Sequence, residues 1–193
     1  MKNTRKNEAN AELFLTDVKQ LREQAREHLA DGPVTDNYQA DKTRTIEILQ
    51  AVLATEIVCV LRYTAHSIMA EGIASDSVAE EFEEHAADEQ KHVMMVANRI
   101  DQLGGNPDFN PATLTARSAT EYSEGEDLID MIRENPVAER IVIEHYRELI
   151  RFFGDNDPTT RVLVEGILAN EEDHARDMHD LLVAHQGKPF LPS

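Results

Sequence analysis

Residues 89–92 read Glu89-Gln90-Lys91-His92, and residues 171–174 read Glu171-Glu172-Asp173-His174. In both, a histidine follows a glutamate by three positions, the spacing that sets two side chains on one face of a helix. Apolar residues share that face: Phe82, Val93, Val96 and Ile100 around Glu89, and Val164, Ile167, Ala175, Met178 and Leu182 around Glu171. Both stretches are therefore predicted as helices that turn a carboxylate and an imidazole inward. A lone glutamate on an apolar stripe precedes each pair. Glu56 lies with Leu49, Val52, Val60 and Tyr63, and Glu139 with Val142, Tyr146, Ile150 and Phe153.

Working outward, the apolar period is helical nearly everywhere and no convincing period-two run occurs, so the chain is predicted all-α. Residues 1–40 read as an N-terminal extension with an amphipathic helix over about 8–30, carried by Phe14, Val18, Leu21, Ala25 and Leu29 and stopped at Asp31-Gly32-Pro33. Residues 41–186 read as a four-helix bundle. Its first helix runs from Asp41 to Glu71, before Gly72; the second opens on a Ser77/Glu80 capping box and ends at Gly104-Gly105. Asn106 to Asn135 forms a long crossover with a short helical piece near Glu126–Arg133. Asn135-Pro136 starts the third helix, which ends at Phe153-Gly154, and Asp157-Pro158 starts the fourth, which reaches about Gln186. Residues 187–193 are a tail. The result is two hairpins joined by one crossover.

On the third helix Glu139 competes with Glu144. Glu144 points with Arg147, Glu148 and Arg151, away from the apolar stripe. Height agrees: Glu56, Glu89, His92, Glu139 and Glu171 all lie about 12–16 residues from their turn, but Glu144 only about ten, a displacement of roughly 6 Å at the helical rise. Glu139 is the expected ligand. Four buried carboxylates would be intolerable in an apolar interior without cations. Carboxylates with one imidazole per metal suit Fe²⁺ or Mn²⁺, whereas thiolates would indicate zinc or an iron–sulfur cluster. A Glu from each of two helices and a Glu-x-x-His from each of the others is the donor set of di-iron and di-manganese bundles. The expected chemistry is oxidation of two Fe²⁺ by dioxygen or hydrogen peroxide.

The 193 residues, 41% apolar, suffice for one core, and a net charge of −18 disfavours nucleic acid and anionic membrane as partners. A single cysteine, Cys59, excludes an intrachain disulfide framework. With no signal peptide or spanning segment read in the sequence, a cytoplasmic location is expected.

These residues resemble the bacterioferritins and the related Dps-like mini-ferritins over roughly 42–185. Glu56, Tyr63, His66 and Met69 are similar in order to the bacterioferritin first helix, and Asp88-Glu89-Gln90-Lys91-His92 to its second. Gly125-Glu126-Asp127 through Met131-Ile132-Arg133 to Glu139 resembles the crossover and third helix, and Glu171-Glu172-Asp173-His174 the fourth. The resemblance implies a ferritin-like fold and a ferroxidase centre of Glu56, Glu89, His92, Glu139, Glu171 and His174, with two iron ions per chain or manganese in their place, inside a hollow homo-oligomeric shell storing ferric mineral. Gln90 stands where the family's haem-ligating methionine would be, so haem is not expected. The short tail leaves no room for the fifth helix of 24-subunit shells, which with the extra N-terminal helix favours a 12-subunit cage.

A peroxide-scavenging di-iron or di-manganese enzyme, resembling rubrerythrin or manganese catalase, is the alternative, and a DNA-binding cage is a third reading. Contact with DNA through Lys2, Arg5 and Lys6 is not expected on so acidic a chain. Cys59 reads as core packing, Tyr63 equally as a core filler or a partner of a ligand, and His66, His85 and His185 as core or interface residues rather than ligands.

Overall fold

The computed structural model describes residues 14–70 and 75–186. The chain divides into two compact units, Met1–Tyr38 and Gln39–Ser193. In the first, α1 spans Val18–Glu27 and a 3₁₀ turn spans Leu29–Asp31. The expected helix over about 8–30 is thus shorter. Asp17 is extended, and its carboxylate accepts from the Lys19 and Gln20 amides, so it caps a helix that Phe14 does not join. Residues 8–13 of that expectation lie outside the described residues.

In the second unit α2 is Lys42–Met69 and α3 is Ser75–Gln102, paired as one hairpin; α5, Leu128–Phe153, and α6, Pro158–Gln186, form the other. Every regular element among the described residues is helical. No helix among them is long and apolar enough to cross a membrane. Several ends follow local chemistry. Asp41 caps α2 through the Arg44 amide, and Asp157 caps α6 through the Thr160 amide while its carboxylate also pairs with the buried Arg99. Gly104 at φ 81° follows α3, and Gly154 at φ 44° ends α5, in backbone that other residues rarely adopt.

Two helix starts differ from expectation. Ser77 lies inside α3, which begins at Ser75, so the Ser77/Glu80 capping box is not the helix start. The expected stop at Gly72 and the tail from 187 lie outside the described residues. The larger difference is in α5. The short helical piece and the third helix are one continuous helix from Leu128, capped by Asp127, with Pro136 in its interior. An internal proline costs about 3 kcal/mol locally, but tertiary packing outweighs it: Met131 and Ile132 join Tyr63, Val78, Phe82 and Met178 in the core. Asn135, next to the proline, is fully buried and has every polar group matched. It accepts from Arg62 Nε at 2.9 Å and donates to the Met131 carbonyl and to His66 Nδ1.

The crossover is tied to α2 along its length. A 3₁₀ turn, Pro111–Thr113, and the single-turn α4, Leu114–Arg117, carry Leu114 onto Ala54 and Val58. Arg117 donates to the Gln50 and Asp108 carbonyls, and the Ala119 amide donates to Thr55 Oγ1. These bonds hold the connection against the side of the bundle, so the four long helices stay free to face inward around one polar cluster.

Candidate metal centre

That cluster contains all six side chains read from the sequence: Glu56 from α2, Glu89 and His92 from α3, Glu139 from α5, and Glu171 and His174 from α6. Each is at most 3% exposed. Glu144 points outward and pairs with Arg147. The donor atoms form two overlapping groups, Glu56, Glu89, His92 and Glu171 in one, and Glu89, Glu139, Glu171 and His174 in the other, each within 4.8 Å. Glu89 and Glu171 belong to both. A carboxylate has two oxygens, so these two residues can each offer one to either group.

The distances match ligands around a common ion better than hydrogen bonds. His92 Nδ1 lies 3.1 Å from Glu171 Oε1 and 3.3 Å from both Glu56 Oε2 and Glu89 Oε2. A single ring nitrogen holds at most one proton, which cannot serve three carboxylates. Separations of about 3 Å are instead the edges of a polyhedron with metal–ligand bonds near 2.1 Å. His174 Nδ1 repeats the pattern at 3.4 Å from Glu171 Oε2 and 3.5 Å from Glu89 Oε1. Both oxygens of Glu56 and of Glu171, Glu89 Oε1, Glu139 Oε2 and both His174 nitrogens are buried without a hydrogen-bond partner. Buried polar atoms are ordinarily satisfied, so orphans concentrated at one point fit a site built for cations.

The electrostatics carry the same sign. Burial, then the charges of Glu89 and Glu171, push Glu56 well above the ordinary carboxylate range; burial, then Glu171 and Glu89, do the same to Glu139. Burial alone would raise Glu89 and lower both histidines. The close contacts reverse this: Glu89 is held well below its ordinary value by His174 and His92, His174 is lifted to about 11 by Glu171 and Glu89, and His92 is lifted higher still. Without cations the centre gathers protons.

Several residues around the six are not in the expected site. Asn170 Oδ1 lies 3.2 Å from His92 Nε2, and Asp88 Oδ2 lies 3.6 Å from His174 Nε2. The residue preceding each Glu-x-x-His thus faces the histidine of the other, which leaves both Nδ1 atoms turned to the carboxylates. The signal was the matched position of Asp88 and Asn170 before their glutamates. Tyr63 Oη donates to Glu139 Oε1, while Tyr146, seven residues after Glu139 as Tyr63 is after Glu56, keeps its buried hydroxyl without a partner among the described residues. Cys59 is buried beside Thr120 and Arg62, and His66 is buried in the Asn135 cluster, as packing residues. His85 is buried too, but lies in a further group with Glu81 and Asp177.

Four helices in two hairpins joined by a long crossover define the ferritin-like form of the four-helix bundle, and here they enclose two overlapping carboxylate–imidazole groups. The family-level match agrees: residues 46–186 fit the ferritin-like domain model, and the chain belongs to that family. It is 30% identical over 136 residues to a nutrient stress-induced DNA-binding protein of Synechococcus sp. PCC 6301, covering 67% of this chain and 75% of that protein. Among solved structures it is similar to a dodecameric thioferritin, the bacterioferritin-related protein of Bacteroides fragilis, with a TM-score of 0.73 at 31% identity over 80% of this chain and 94% of that one. The Dps of Thermosynechococcus elongatus shares the fold, with a TM-score of 0.70 at 20% identity over 73% and 91% of the two chains.

Proposed function

We propose that this chain oxidises Fe²⁺ and stores the ferric product, with Glu56, Glu89, His92, Glu139, Glu171 and His174 holding two divalent metal ions. The observation that carries this reading is the set of buried, unpartnered carboxylate oxygens facing two imidazole nitrogens. Fe²⁺ is the substrate and dioxygen or hydrogen peroxide the electron acceptor. Two Fe²⁺ give up one electron each, which matches the two-electron reduction of either oxidant. The chain's contribution is to bring both ions into one buried pocket, neutralise them with carboxylates and orient the His92 imidazole through Asn170. Membership of the ferritin-like family supports storage, and the dodecameric relative supports a 12-subunit shell. The Synechococcus relative is named for DNA binding; the net charge of −18 favours cations over DNA here.

Metal-stripped protein loaded anaerobically with Fe²⁺ and then given peroxide or air should show a fast near-ultraviolet absorbance rise that saturates near two irons per chain, one for each donor group. Further iron should be retained with the assembled protein. Absence of the fast rise would refute the oxidation chemistry, and rapid oxygen evolution from peroxide would favour a catalase-type enzyme.

A further inference from the structure

A third group of metal-ligating side chains stands outside the two already described. Glu81 and His85 come from α3 and Asp177 from α6, and their donor atoms lie within 4.8 Å of one another. His85 Nε2 is 3.3 Å from Glu81 Oε1 and 3.9 Å from Asp177 Oδ2. The imidazole is only 2% exposed, and its Nδ1 is buried without a partner. The two carboxylates reach solvent, with side chains 32% and 36% exposed. They border an open cleft of about 280 Å³ lined by Glu81, Asp177, Asp180 and Leu181.

Three acidic side chains around one small cleft repel each other, and burial together with Asp177 and Glu84 raises Glu81 above its ordinary value. His85 Nε2 faces both carboxylates, so the ring can turn a lone pair to a cation held between them. One neutral imidazole and two carboxylates balance the charge of a divalent cation and suit a hard to borderline ion. Position gives the group a purpose. The His85 ring stacks on His174, with centroids 4.0 Å apart and planes at 20°, so one face of this solvent-facing group touches a ligand of the inner centre.

We propose that Glu81, His85 and Asp177 form an outer divalent-cation site that captures Fe²⁺ from solvent and feeds it past His174 to the inner centre. The feeding role rests on the two-ion reading of that centre; the outer site itself does not.

The test uses assembled, metal-stripped protein, wild type against the double variant Glu81→Gln/Asp177→Asn. Both are titrated with Co²⁺ by equilibrium dialysis, and both are mixed with substoichiometric Fe²⁺ in air. The variant is expected to bind one Co²⁺ fewer per chain and to oxidise Fe²⁺ about tenfold more slowly, the scale on which a charged cleft raises local cation concentration. Equal Co²⁺ counts would overturn the proposal, as would loss of one Co²⁺ with no slowing. A wild type holding a single Co²⁺ that the variant loses would uphold the outer site while overturning the two-ion centre.

Discussion

Tyr63 donates its hydroxyl proton to Glu139 Oε1 across 2.5 Å, joining α2 to α5 in the middle of the core. Burial, then the Glu139 charge, push the phenol well above its ordinary range, so it remains the donor. Tyr63→Phe would keep the ring, which stands edge-on to His85 at 5.1 Å, and would remove only the bond. Glu139 Oε2 is already unpartnered, so the variant strands both oxygens. The metal-free variant should lose about 1–3 kcal/mol in denaturant unfolding. An unchanged midpoint would show that the bond adds nothing net.

Asn170 fixes His92 from behind through Nε2, so its removal should act on metal affinity rather than on metal count. Asn170→Ala is expected to weaken binding of the first Fe²⁺ or Mn²⁺ by about 10–100-fold, the usual cost of losing an orienting partner. Competition with a chelator of known affinity measures the shift. Wild-type affinity in the variant would mean that packing alone holds the ring.

The choice between the two glutamates of α5 can be decided by a paired substitution. Glu139 is 0% exposed within a donor group, whereas the Glu144 side chain is 75% exposed beside Arg147. Glu139→Gln should abolish the fast absorbance rise on adding oxidant to Fe²⁺-loaded protein. Glu144→Gln should leave it unaltered. The reverse result would place the ligand on the wrong face.

His66 predicts a pH dependence of stability. Its Nε2 lies 2.9 Å from the Ser123 carbonyl and its Nδ1 accepts from Asn135, which defines a neutral ring with Nε2 protonated. Burial lowers its pKa below the ordinary 6.5, against the pull of the Ser123 carbonyl. As pH falls below that ordinary value, the unfolded chain takes up the proton before the folded chain does, so stability present above it is lost. His66→Gln removes the titrating ring and keeps a polar side chain there. The stability difference between the two proteins should therefore move towards the variant between roughly pH 7.5 and 5. A constant difference would contradict the neutral-ring assignment.

The bundle was legible because its four long helices each carry an apolar stripe, and the six clustered side chains were legible because each interrupts such a stripe with a charge. Glu139 could be separated from Glu144 by direction and height alone. What escaped were features whose cause is tertiary. Pro136 reads locally as a helix start, and only the burial of Met131, Ile132 and Asn135 extends α5 back to Leu128. Phe14 continues the period of Val18 and Leu21, but the Asp17 N-cap starts the helix only after it. His85 sits four residues before Glu89 on the same face and reads as core, because nothing in the local sequence reveals that Asp177 of another helix lies beside it.

Six side chains from four helices are proposed to clasp two metal ions. Crystals of the metal-stripped protein soaked anaerobically with Fe²⁺, measured on both sides of the iron absorption edge, test this most directly. Two anomalous peaks are predicted, one among Glu56, Glu89, His92 and Glu171 and one among Glu89, Glu139, Glu171 and His174, with Glu89 and Glu171 contacting both. A single peak, no peak, or Glu139 swung away from both would contradict the account.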